Sequence, residues 1–140
     1  MLLRMILFSL ATAVLWAQTE NQPVIHKTPA GRTSASSGKQ MYRSYCAACH
    51  GNDGKGDGPA SAALKSSPSD LTVLAKRNAG RFPALRVFTA INGDLHVTAH
   101  GSRDMPTWGG VFEQMQGSDA AGVKLRIRNL TKYIESLQVD

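Results

Sequence analysis

The sequence predicts an all-α domain, and three observations carry that prediction. Near the C-terminus Val123, Ile127, Leu130, Ile134 and Leu137 recur at steps of 4, 3, 4 and 3, which places them on one apolar helix face. Two shorter stretches, after Pro68 and after Pro83, have apolar residues at i, i+3 and i+4 and run up to a glycine. No stretch alternates apolar and polar residues as a half-buried strand would. The 140 residues bound the chain to one folded domain. Hydrophobic residues are 42% and aromatics only 6%, so a core made of protein alone would be thin and a cofactor could add apolar bulk.

In chain order, residues 1–17 read as a secretory signal peptide. Arg4 precedes an apolar run of about 12 residues from Met5 to Trp16, within the usual range of about 7–15 and short of the roughly 20 that span a membrane. Cleavage is expected after Ala17, with Ala13 as the alternative. Residues 18–37 contain Pro23, Pro29, Gly31 and a serine-rich run without apolar periodicity, and read as a flexible leader. The folded domain is expected over residues 38–140. Ser69 or Asp70 would cap a helix with Leu71, Leu74 and Ala75 on its inner face, stopped by Gly80. Pro83 suits the first position of a second helix with Ala84, Val87, Phe88 and Ile91 inside and Gly93 at its end. Ser118 or Asp119 would cap the last helix.

The chemistry sits in Cys46-Ala47-Ala48-Cys49-His50, the Cys-x-x-Cys-His pattern of c-type haem attachment. Two thiols at this spacing can each add to a vinyl group on one haem edge, and the next imidazole then falls beneath the iron. This attachment takes place outside the bacterial cytoplasm, so signal peptide and motif support each other. Two cysteines are too few for a disulfide framework or a four-cysteine metal site. A thiol oxidoreductase would need a βαβ pattern around the motif, which is absent.

From Gly38 onward the chain resembles class I monohaem cytochromes c with a C-terminal axial methionine. Gly51-Asn52-Asp53-Gly54-Lys55-Gly56-Asp57-Gly58-Pro59 is similar to the glycine-rich loop that follows Cys-x-x-Cys-His in bacterial members. Asp104-Met105-Pro106-Thr107-Trp108-Gly109 is similar to their axial-methionine loop. Gly38-x-x-x-Tyr42-x-x-x-Cys46 resembles their first helix, where a glycine and an aromatic meet the last helix, and Tyr133 resembles the aromatic opposite. The resemblance implies about four to five helices wrapped around one covalently attached haem c.

It also implies cofactor-binding residues Cys46, Cys49, His50 and Met105, with His50 and Met105 on the iron. A backbone carbonyl beside a loop proline is expected to hold the second His50 nitrogen, with Pro59 as the candidate. Of the five methionines Met1 and Met5 leave with the signal peptide, Met41 precedes the cysteines, and Met105 is favoured over Met115 because Pro106 fixes its backbone. His96 and His100 are rival ligands. Trp108 is expected near the haem with its indole N–H toward a propionate. Methionine–histidine ligation leaves no open iron position and suits electron transfer.

The formal charge of +6 falls to +5 when Arg4 leaves with the signal peptide. Lys76, Arg77, Arg81, Arg86, Arg103, Lys124, Arg126 and Arg128 read as a solvated surface that could steer the protein toward an acidic redox partner. The expected function is a periplasmic one-electron carrier without catalytic residues, monomeric, with protein donor and acceptor. No small-molecule substrate is expected, and no nucleic-acid recognition motif occurs. A cytochrome subunit docked to a dehydrogenase or oxidase is the alternative. A haem enzyme or gas sensor with a labile sixth ligand is a third reading.

Overall fold

A computed structural model describes residues 32–94, 105–116 and 120–139. The expected signal peptide, most of the leader, His96, His100, Arg103 and the caps Ser118 and Asp119 lie outside the described residues. The elements are α1 (Gly38–Tyr45), α2 (Ala47–His50), α3 (Ala84–Asn92), α4 (Trp108–Gln116) and α5 (Ala120–Glu135). Single 3-10 turns occur at Ser61–Ala63 and Lys76–Asn78. Among the described residues there is no strand, and no helix is long and apolar enough to cross a membrane.

The long C-terminal helix organises the rest, because α1, α3 and α4 all pack on α5. Its stripe Val123, Ile127, Leu130 and Ile134 is buried as the periodicity predicts, and Leu137 is half-buried just beyond it. Met41 and Tyr42 of α1, Ile91 of α3 and Phe112 of α4 complete the core. The α1–α5 contact matches the resemblance. A side chain at Gly38 would overlap the Asn129 carbonyl, so only glycine lets the helices approach this closely. One turn later the Tyr42 and Tyr133 rings meet with centroids 5.2 Å apart. Ser37 caps α1 by accepting from the Gln40 N–H at 3.2 Å.

The third helix forms as expected, with Pro83 one position earlier than anticipated, as its cap, and Gly93 ending it in the left-handed region at φ 96°. Three expectations are corrected. The helix foreseen after Pro68 is instead a run of turns followed by the 3-10 turn at Lys76–Asn78. Its backbone groups are taken by the C-terminus: Gln138 Nε2 donates to the Leu71 carbonyl at 2.7 Å, the Val139 N–H to Thr72 O at 2.9 Å, and the Ala75 N–H to Gln138 Oε1 at 2.9 Å. Asp70 does act as a cap, accepting from the Thr72 N–H at 2.8 Å, but it closes a turn.

The second correction is Arg126, read from the sequence as surface charge but only 3% exposed. Its guanidinium donates to the Thr33 carbonyl at 2.7 Å and to Thr33 Oγ1 at 3.1 Å, and lies 5.7 Å from the Phe112 ring centroid. The third follows from it. Residues 33–37, assigned above to a flexible leader, are bonded into the domain. Besides the Arg126 contacts, Asn129 Nδ2 donates to the Ala35 carbonyl at 2.8 Å, and Thr33 Oγ1 meets the Tyr45 hydroxyl at 2.8 Å.

Candidate functional site

Cys46 joins two helices. Its N–H closes α1 on Tyr42 O at 2.8 Å, and its carbonyl opens α2 by accepting from the His50 N–H at 2.9 Å. The junction brings Cys46, Cys49 and His50 together within one short turn. A four-residue helix has no intrinsic stability, since none of its last carbonyls finds a partner inside it. The loop that follows supplies them all. The N–H groups of Gly51, Ala60, Gly58 and Gly56 donate to the carbonyls of Ala47, Ala48, Cys49 and His50 at 2.9, 2.8, 3.1 and 2.8 Å. Gly58 lies so close over α2 that a side chain there would collide with the Ala47 and Ala48 carbonyls. The Tyr42 hydroxyl, buried in the core, donates to Gly51 O at 2.8 Å and ties the loop to α1.

His50 Nδ1 lies 3.1 Å from the Ser69 carbonyl. The carbonyl beside Pro68 therefore holds the imidazole, and the expectation centred on Pro59 is corrected. Pro59 lies between Gly58 and Ala60, where the chain serves as a cap for α2. The segment around Ser69 comes back over α2 because the Leu71 N–H donates to Gly54 O at 2.7 Å. Burial pushes the His50 pKa down, and the Ser69 contact opposes this in part. With Nδ1 engaged by the Ser69 carbonyl, Nε2 is the nitrogen that would bind a metal.

Met105 stands in a separate segment, on the turn that precedes α4, and is 41% exposed. Packing ties that segment to the rest. Thr107 fits against Gly93, where a Cβ would come within 2.7 Å of it, and Gly109 meets the Asn92 carbonyl. The Trp108 ring stacks at 5.1 Å on Tyr45, the neighbour of Cys46, and at 5.7 Å on Phe112. Trp108 therefore bridges the methionine segment and the cysteine motif. The helix α4 itself was missed in the sequence, although Trp108, Phe112 and Met115 have the spacing that could have revealed it. Gly109 and Gly110 depress its helix propensity by about 1 kcal/mol each.

These residues fit a covalently held haem. Both thiols are free and partly accessible rather than joined to each other. The imidazole is oriented from behind by the Ser69 carbonyl. Half-buried apolar side chains, among them Cys46, Leu71, Leu74, Phe82, Val87 and Phe88, fringe the core. The same residues fit a thiol-exchange centre poorly. Exchange-active cysteines carry lowered pKa values, whereas burial, with Cys49 adding to it, pushes the Cys46 thiol up to about 12.

A protein-family model described as cytochrome c oxidase, cbb3-type, subunit III, matches residues 33–124. The match begins at Thr33, the residue clamped by Arg126, and takes in the cysteine motif and Met105. No curated protein and no solved structure was found to match the chain.

Proposed function

The chain belongs to the cytochrome c family of the cbb3-type oxidase subunit III, and from that membership we propose that it is an exported one-electron carrier. The family places it among haem-binding electron-transfer cytochromes with covalently bound haem c and its iron. When bound, the haem supplies a one-electron redox centre. In this reading Cys46 and Cys49 form the thioether links and His50 ligates the iron through Nε2. Ser69 orients the imidazole, and Met105 would offer the iron a soft thioether donor, which favours the ferrous state.

The observation that carries the reading is the His50–Ser69 contact on a helix whose carbonyls are all capped. A ligand held this rigidly changes little between oxidation states, as electron transfer requires. Export through residues 1–17 and a periplasmic location belong to the same proposal, because the attachment chemistry occurs there. The test is an optical spectrum of the exported protein with a redox titration. The weak far-red band of methionine–iron ligation in the oxidised state, with haem that survives acid–acetone extraction, is expected. Rapid carbon monoxide binding by the reduced protein, without that band, would replace the carrier with a haem protein that has a labile sixth ligand.

The family description favours a second reading, in which the cytochrome is a subunit docked to an oxidase. Copurification of a stable partner, lost when residues 18–31 are deleted, would select it.

A further inference from the structure

The carbonyl that orients His50 stands in a weakly structured stretch. Residues 67–70 belong to no helix or turn, and Ser69 is exposed. A carbonyl there could rotate away from the imidazole unless the residues beside it were held. They are held. The Leu71 N–H donates to Gly54 O at 2.7 Å, and the Asp70 carboxylate accepts from the Thr72 N–H at 2.8 Å and the Thr72 hydroxyl at 2.6 Å. The Val139 N–H donates to Thr72 O at 2.9 Å.

Gln138 is the side chain that closes this arrangement. It is half-buried, and its amide makes three hydrogen bonds. Nε2 donates to Leu71 O at 2.7 Å and to Ile134 O at 2.9 Å, and Oε1 accepts from the Ala75 N–H at 2.9 Å. The Ala75 N–H can only donate, so it fixes which end of the amide faces which partner. The Ile134 carbonyl is among the last four of α5, where a helix leaves such groups unpaired. One amide therefore caps α5 and staples residues 71–75 to it. Packing reinforces the staple, since a Cβ at Gly54 would meet Leu137 at 3.2 Å and Thr72 at 3.5 Å.

These contacts form a continuous route from the C-terminus to the ligand: Gln138 to Leu71, Leu71 along the chain to Ser69, and Ser69 to His50 Nδ1 at 3.1 Å. We propose that Gln138 is a positioning residue for the redox centre, which holds the Ser69 carbonyl on His50 and so sets how strongly the imidazole donates to iron. The proposal rests on the electron-transfer reading above and deepens it. An imidazole that donates its Nδ1–H to a carbonyl is a more basic ligand, and a more basic ligand favours the ferric state. Loosening the staple should therefore shift the equilibrium toward ferrous iron.

The test uses the full chain, exported and haem-loaded, with two readouts: the reduction potential and the solvent exchange of the His50 Nδ1 proton in the reduced state. Gln138→Met keeps the length and bulk of the side chain and removes its amide. It is expected to raise the ferrous-to-ferric ratio at a fixed ambient potential about threefold, and to speed the proton exchange about tenfold. Ending the chain at Leu137, which also removes the Val139 N–H, should move both readouts in the same direction and further. Asn129→Ala deletes a different α5 hydrogen bond, to the Ala35 carbonyl, and should lower stability with both readouts unchanged. Gln138→Met protein that loses stability at unchanged potential and exchange rate would make Gln138 a helix cap alone and overturn the proposal. A fall in potential, or an equal shift in Asn129→Ala, would overturn it as well. Parent protein without stainable covalent haem is a separate result, which would overturn the electron-transfer reading and this proposal with it.

Discussion

Around His50 each carbonyl of α2 meets a backbone N–H from the glycine-rich loop, and the imidazole itself rests on a backbone carbonyl. Around Met105 the contacts among the described residues are made by side chains: Trp108 on Tyr45 and Phe112, and Thr107 in the space left by Gly93. The difference separates what each half can tolerate. A hydrogen-bonded frame is insensitive to most surrounding side chains but fails as a unit. A segment held by packing depends on two or three large groups and can shift while the fold stays intact. One side of the centre is thereby built for permanence and the other for adjustment.

Four changes should break or sharpen that contrast. The largest effect is expected from Cys46→Ser with Cys49→Ser, which should abolish haem staining on a denaturing gel. Next, Met105→Ala should keep the covalent haem but lose the far-red band and lower the potential on redox titration, since the soft thioether is gone. Third, Trp108→Ala should cost about 2–3 kcal/mol in denaturant unfolding, less than a fully buried tryptophan because the ring is half-buried. It should weaken the far-red band as well. Tyr42→Phe leaves the buried Gly51 carbonyl with only the Gly54 N–H at 3.3 Å and should cost about 1 kcal/mol without touching that band. Equal spectral effects of these two substitutions would erase the distinction between the halves.

The smallest effect concerns pH. The Thr72 hydroxyl and N–H hold the Asp70 carboxyl below the ordinary carboxylate value of about 3.9. A carboxyl lowered in the folded state contributes stability above its unfolded pKa, and that contribution is lost as pH falls through the folded one. Asp70→Asn should therefore be less stable than the parent at neutral pH, and the gap in urea midpoints should close in acid.

Much of this was legible in the sequence. The stripe of α5, the proline-to-glycine span of α3 and the Cys-x-x-Cys-His motif are local patterns: the first forms as read, the second with Pro83 one position earlier, and the three residues of the third fall within one short turn. What the sequence hid depends on distant partners. The turn at Leu71–Ala75 has helical spacing, but Gln138 and Val139 claim its backbone groups from the far end of the chain. The support of His50 lies nineteen residues away at Ser69, so a proline nearer the motif drew the expectation. Arg126 looked solvated because charge normally is, and only the Thr33 carbonyl and the Phe112 ring explain its burial. The helix α4 was hidden by its glycine pair, of which Gly109 lets Asn92 approach.

The clamp on Thr33 also fixes how the molecule takes mechanical load. Tension arriving through residues before Thr33 meets a buried guanidinium on α5 and then Asn129 one turn further on. The pull is shared between the longest helix and the Tyr45 hydroxyl before any of it reaches the first turn of α1. The cysteine–histidine turn lies beyond that point in the chain. The share taken by α5 bypasses the redox site, and the share taken by the Tyr45 hydroxyl arrives one residue before Cys46.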